Sequence, residues 1–228
     1  FEELEEAVDR FCQEHQLPAH RPLPINQLQT LLEENYNYKI VEDGLKPYPE
    51  LKSLRSVFVP QDKKLLLNGS LKDYQKTFEF GKELAFNYLM LKERAYTSSI
   101  IKGRVFEEVL NHSKAIYFSV ALHMPKVSII ADMQQFFNQE KWNPAKLIEI
   151  MQKYQASPEM FYHRLTNILP QFFGMKKLFF LRFVHDLKKD DFTIDRELHL
   201  NERHHPHSNG LFEHYCRRWV SIKLLKKL

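Results

Sequence analysis

The chain has 228 residues, of which 43% are apolar and 27% charged, ordinary globular composition with enough apolar surface for one sizeable core or two small ones. A formal charge of +4 is too small to announce a nucleic-acid binder, and the one basic cluster, Arg217, Arg218, Lys223, Lys226 and Lys227, sits where cations complement the dipole of a terminal helix. No apolar run is long enough to span a membrane, no signal-peptide pattern is present, and Cys12 and Cys216 lie too far apart for a metal or disulfide framework, so a cytoplasmic protein is expected.

Residues 2–17 read as a helix with Leu4, Val8, Phe11 and Cys12 at helical spacing. The stripe Leu4, Val8 and Phe11 is a candidate linker or dimer contact. A proline-rich break follows over 17–24. Ile25 to Tyr36 is a second helix, striped by Ile25, Leu28, Leu31 and Leu32, and residues 38–41 form a short strand. Residues 54–59 and 64–68 are two strands around the turn Pro60-Gln-Asp-Lys63, a hairpin.

The helix that follows, residues 74–89, carries one broad apolar stripe of Phe78, Leu84, Ala85, Tyr88 and Leu89. Three or four more helices are predicted: Val105 to Leu122, stopped by Met124-Pro125; Ser128 to Asn138; Asn143 to Tyr154; and Ser157 to Phe172, opened by an N-cap serine and a proline at the first helical position. At Gly174 the character changes. Residues 177–184 read as a strand buried on both faces, paired with a second strand over 192–200. A histidine-rich loop over 202–209 and a final helix from Gly210 complete the chain. The aromatic share is high, with 18 Phe and 10 Tyr, and suits a phenylalanine-rich core or an apolar cavity.

In a His-Glu-x-x-His helix, two imidazoles four residues apart grip a zinc ion on one face while the Glu serves as general base. This chain places Lys82, Glu83 and Phe86 in that frame. An ammonium has no lone pair at neutral pH and a phenyl ring does not ligate, so the base survives and both ligands are gone. Lys82 and Glu83 either pair across a cleft or lie exposed on the helix, with exposure the simpler expectation.

Three pieces in order carry a resemblance: the hairpin ending at Leu71, the helix around Phe78-Glu-Phe-Gly-Lys-Glu-Leu-Ala-Phe86, and Ala115-Ile-Tyr-Phe118-Ser-Val-Ala-Leu122-His-Met124-Pro125. Together they resemble the ImmA/IrrE family of zinc-peptidase-like domains over about residues 25–170. The resemblance implies an α+β fold: a zincin-like core of several helices with a small sheet, followed by a smaller strand–helix subdomain. It also implies an Xre-type helix-turn-helix upstream of Phe1, the chain being a piece of a longer protein. Near the position of the family's third ligand, His112 is the lone candidate donor, and one donor does not make a zinc site. The resemblance therefore implies the fold and not the peptidase activity, and neither metal nor cofactor is expected.

Residues 157–165, 179–183 and 213–219 resemble the extension found in ScfR-type regulators, the short-chain fatty-acyl-CoA responsive relatives of the Xre group. That resemblance implies an effector region. An acyl-CoA needs an apolar slot and cations for its phosphates. Lys82 in a pocket walled by Phe86 and Tyr117, with Arg182, Arg217 and Arg218 elsewhere, are the candidate ligand-binding residues, and Glu83 is placed with them. His205 and His207 belong to a loop that could close over the ligand or, with Glu213 or His214, present imidazoles to a metal. No nucleophile elbow, phosphate loop or Rossmann fingerprint occurs, and only six glycines are present.

The expected organisation is an N-terminal helix and linker over 1–24, a degenerate peptidase-like domain over 25–173 and a strand–helix effector subdomain over 174–228. The expected function is the effector-sensing or oligomerisation region of a bacterial transcription regulator that binds a small anionic metabolite such as an acyl-CoA and forms a homodimer. The alternatives are a zinc metallopeptidase and a ligand-free scaffold.

Overall fold

A computed structural model describes residues 2–18, 22–97, 105–186 and 191–199. The chain divides into two compact units, Phe1–Arg164 and Leu165–Leu228. The fold is α+β, as the sequence leads one to expect.

The first unit opens with α1 (Glu2–Glu14) and α2 (Ile25–Thr30), which continues as a π-helical stretch over Leu31–Asn35. A small sheet has strand order β1-β3-β2, from β1 (Lys39–Val41), β2 (Ser56–Val59) and β3 (Lys64–Leu67). β2 and β3 are the expected antiparallel hairpin, with Phe58 opposite Leu65. β1 lies parallel to β3 on its other side, with Ile40 opposite Leu65. Alternation on β3 buries Leu65 and Leu67 completely, which fixes the register because a one-residue slip would expose both.

Four helices and the start of a fifth complete this unit: α3 (Asp73–Tyr88), α4 (Phe106–His123), α5 (Lys126–Phe137), α6 (Pro144–Lys153) and α7 (Pro158–Phe172), whose last residues fall in the second unit. Their ends follow the local chemistry. The Asn143 side chain accepts the Ala145 N–H at 3.1 Å with Pro144 at the first helical position. Ser157 Oγ accepts the Met160 N–H at 3.2 Å in the same way for α7. Pro125 separates α4 from α5.

α3 and α4 form the centre. Gly81 on α3 meets α4 so closely that a Cβ there would stand 2.5 Å from Ser119 Oγ. That hydroxyl in turn donates to the Phe78 carbonyl at 2.8 Å, tying the two helices at their crossing. One apolar core joins Phe11 of α1, Leu28 and Leu32, Leu65 and Leu67 of the sheet, Phe80 and Leu84 of α3 and Phe118 of α4. Phe11 meets Phe118 and Tyr88 edge-on at 5.5 and 5.0 Å, a preferred aromatic geometry.

Two expectations are corrected here. The stripe Leu4, Val8 and Phe11, offered as a linker or dimer contact, packs into this core, with Val8 and Phe11 buried and Leu4 partly so, and is an internal face of α1. The strand expected from residue 177 begins at Phe179 and is not buried on both faces, because Val184 is 47% exposed. In the second unit β4 (Phe179–Asp186) pairs antiparallel with β5 (Asp191–His199), with an irregularity between Arg182 and Phe183. The apolar run reflects β-propensity in a two-stranded ribbon more than a place between two layers. Among the described residues no helix is long and apolar enough to cross a membrane.

Candidate functional site

Ten consecutive residues of α3, Thr77 to Phe86, are buried. A helix buried all round must neutralise every charge it carries, and α3 does so through two separate networks.

The first is built on Glu83, which is 2% exposed. Arg94 grips its carboxylate with both terminal nitrogens, at 2.8 and 2.7 Å, and the Tyr38 hydroxyl donates to it at 2.9 Å. Asn87 donates to the Tyr38 oxygen at 2.9 Å and to the Glu83 carbonyl at 2.7 Å, holding the phenol in place. The Arg94 guanidinium lies 3.8 Å from the Phe86 ring centroid and 4.6 Å from that of Phe58, between two aromatic faces. Phe58 stacks on Tyr38 at 5.0 Å. Burial opposes the charge on Arg94, but Glu83 outweighs it through its charge and hydrogen bonds, and the guanidinium pKa rises. Burial, and then the Glu83 charge, push the Tyr38 hydroxyl well above its ordinary range.

Arg94 is held there by backbone pairing. Residues after it run along the outer edge of β2: the Phe58 N–H donates to the Tyr96 carbonyl at 2.7 Å, and Val57 and Thr97 form an isolated antiparallel bridge. Asn111 of α4 donates to the Glu93 carbonyl at 3.0 Å and fixes the near end of this strap.

The second network is built on Glu79. One carboxylate oxygen accepts from both Lys82 Nζ and Ser56 Oγ at 2.8 Å, and Lys82 and Glu79 are 2% and 1% exposed. Lys82 also lies 5.9 Å from the Phe78 ring.

A third buried charge pair stands apart from these. Arg164 of α7 is fully buried and donates to Glu5 of α1 at 2.5 and 3.1 Å, to the Tyr117 hydroxyl at 3.1 Å and, through Nε, to the Met124 carbonyl at 2.9 Å. Tyr117 donates in turn to Glu5. Burial, followed by this hydrogen bond, raises the Tyr117 pKa far above its ordinary value.

The structure thus brings Glu83 and Phe86 together around Arg94 and places Lys82 one residue away in a network of its own. The expectation that Lys82 and Glu83 lie exposed is wrong: α3 is covered on every side, so each charge has an internal counter-charge. Nor is Lys82 a cation waiting for an anion, since Glu79 already neutralises it. Tyr117 belongs to the Glu5–Arg164 cluster, its hydroxyl donating to Glu5 and accepting from Arg164. Arg182 lies half-buried on β4 opposite Arg196. His205, His207, Arg217 and Arg218 fall outside the described residues.

Sequence reasoning missed Arg94, Glu79, Glu5 and Arg164. A signal for two of them was present. Glu5 sits inside the stripe Leu4, Val8, Cys12, where a carboxylate demands a partner, and Glu79 is three residues before Lys82, the spacing of an ion pair on one helix face.

These residues do not fit a zinc ion. The ammonium of Lys82 and the ring of Phe86 stand where two donors are needed, and Glu83 is spent on Arg94. His112, buried on α4 with its ring centroid 6.4 Å from that of Phe86, is a single donor. Among the described residues no group of three or more His, Cys, Asp or Glu is placed to hold a metal. A cavity of about 210 Å³ exists elsewhere in the first unit, lined by Leu23, Ile25, Asp73, Thr77, His123 and Tyr154, none of them a candidate ligand-binding residue of the sequence analysis.

Residues 41–166 match the model of the IrrE N-terminal-like domain. A comparison with curated proteins finds no match. Among solved structures, a Mycobacterium tuberculosis transcriptional regulator is similar at a TM-score of 0.64 and 16% identity, a likeness of fold. The alignment covers 100% of this chain and 63% of that regulator, so the chain spans less than two thirds of its length.

Proposed function

Because the chain belongs to the IrrE N-terminal-like family, we propose that it is a peptidase-derived regulatory module in which the catalytic centre has become a structural ion pair. One observation carries this reading: Glu83, the residue in the general-base position, is clamped by both nitrogens of Arg94 between Phe58 and Phe86. A general base must reach a water and accept its proton. A carboxylate that already accepts from a guanidinium and a phenol cannot do so without breaking a buried, bidentate, charge-assisted pair.

The module serves, in this reading, as the effector-sensing or oligomerisation region of a cytoplasmic, homodimeric Xre-group transcription regulator of the ScfR type, acting with a separate DNA-reading module. The fold likeness to a regulator supports that context. The ligand is a small anion such as an acyl-CoA. Its phosphates would be met by Arg182, Arg217 and Arg218, because Lys82 is already neutralised.

Two measurements on the purified chain test the two halves separately. Metal analysis with a chelator-sensitive proteolysis assay should find neither stoichiometric zinc nor cleavage. Zinc bound against residues 82–86 would return the molecule to the hydrolases. A panel of acyl-CoAs should raise the melting temperature, a hundredfold excess over Kd adding about 2.7 kcal/mol of stability. No shift with any of them would remove the ligand while leaving the loss of catalysis standing.

A further inference from the structure

We propose that the cavity at the ends of α3, α4 and α6 is a binding site for a small organic cation, a primary ammonium on a short apolar body. The proposal goes beyond the regulatory reading. It uses residues of the first unit alone and calls for a ligand of opposite charge to an acyl-CoA.

At about 210 Å³ the cavity suits a ligand smaller than a drug-sized one. Leu23 and Ile25 supply an apolar wall, flanked by Pro22 and Pro24, which have no backbone N–H to offer. Three buried side chains, Thr77, His123 and Tyr154, supply the polar part. Each has its proton committed to the protein. Thr77 Oγ1 donates to the Asp73 and Tyr74 carbonyls at 3.0 and 3.1 Å. The Tyr154 hydroxyl donates to Asp132 at 2.5 Å. His123 Nδ1 lies 2.7 Å from the Ser119 carbonyl. A carbonyl only accepts, so the proton is on Nδ1 and the neutral ring keeps its lone pair on Nε2. What these groups give a ligand is lone pairs and, in Tyr154, the negative face of a ring. The ligand must bring the protons, and an ammonium brings three of them together with a charge.

The surroundings carry the matching sign. α4 ends at His123 and α6 is capped by Tyr154, so two helix C-termini, with their partial negative charge, meet at the cavity. α3 begins there with the opposite sign, and its first residue, Asp73, sets a carboxylate against it at the exposed rim. Gln155, also at the rim, can turn either end of its amide to a ligand and does not choose between charges. An anion would meet the lone pairs of the buried groups and the Asp73 carboxylate.

The test uses the full chain and probes of one shape, n-butylammonium, n-butanol and butyrate, titrated at constant ionic strength by ligand-observed NMR. The ammonium should bind at least ~10-fold more tightly than the alcohol, with butyrate weakest. Thr77→Val keeps the shape of the side chain and removes one buried acceptor, and should weaken the ammonium about tenfold. Asp73→Asn lies on the surface and keeps the fold if Thr77→Val does not. It should weaken the ammonium about 2–5-fold and leave the alcohol unchanged. Equal binding of ammonium and alcohol, tighter binding of butyrate, no binding of any probe, or an ammonium affinity that neither variant lowers would overturn the proposal.

Discussion

Replacing Arg164 by methionine should be among the most damaging single changes in the first unit. The guanidinium is fully buried and makes four hydrogen bonds, two to Glu5, one to Tyr117 and one to the Met124 carbonyl. Methionine matches the length of the side chain but leaves the Glu5 carboxylate, 4% exposed, with the Tyr117 hydroxyl donating to it and no counter-charge from Arg164. Breaking a buried pair from one side costs about 3–5 kcal/mol. For a chain of this size that corresponds to a fall of about 6–20 °C in melting temperature, at roughly 2–4 °C per kcal/mol. Removing both charges is a different perturbation. Glu5→Leu with Arg164→Met leaves no orphaned charge and should come within about 1–2 kcal/mol of wild type, the residue of the loss being the Met124 carbonyl and the Tyr117 hydroxyl. Urea unfolding of wild type, both single variants and the double variant closes the cycle. A single variant that loses less than about 1 kcal/mol, or a double variant as unstable as the sum of the singles, would refute the view that the charges are held by each other.

Gly81→Ala should destabilise by about 1–3 kcal/mol, because its Cβ would meet Ser119 Oγ at 2.5 Å and force the hydroxyl off the Phe78 carbonyl. Adding Ser119→Ala should recover part of that loss in a thermal melt, with the Ser119 Cβ at 3.2 Å setting the limit. Alkaline pH should unfold the protein early. Tyr38 and Tyr117 keep their protons in the folded state above the ordinary value of 10.0. The folded state therefore binds more protons than the unfolded chain above that pH, and stability present below it is lost as pH rises. The urea midpoint should fall above about pH 10, and Tyr38→Phe should flatten that fall if the phenol is its source.

Periodicity made most of the elements legible. The helices from Asp73 to Phe172 and the β2–β3 hairpin follow from apolar spacing, a serine or asparagine cap and a proline stop. What periodicity could not supply was the degree of cover. Phe78, Leu84, Ala85 and Tyr88 read as one stripe, yet Phe80 and Phe86 fall well off that stripe on the helix wheel and already signal burial on all sides. Aromatic rings on both sides of the helix place Lys82 and Glu83 inside, where each needs a partner. The partners themselves were harder. Arg94 stands in a segment with no regular pattern, and β-bridging to β2 brings it to Glu83, eleven residues earlier. Arg164 sits on a well-predicted helix, but nothing local ties it to Glu5. Long-range ion pairs depend on tertiary geometry, which a single sequence does not display.

The separation between Glu5 and Arg164, 159 residues along the chain, carries a consequence for biogenesis. At roughly 5–20 residues per second, α1 leaves the ribosome about 8–30 s before its counter-charge is made. Throughout that interval the opening helix carries an unmatched carboxylate among apolar side chains and cannot seat. Within this unit the first helix to be synthesised is then the last to lock, and nascent chains arrested before Arg164 should offer α1 to proteases and chaperones.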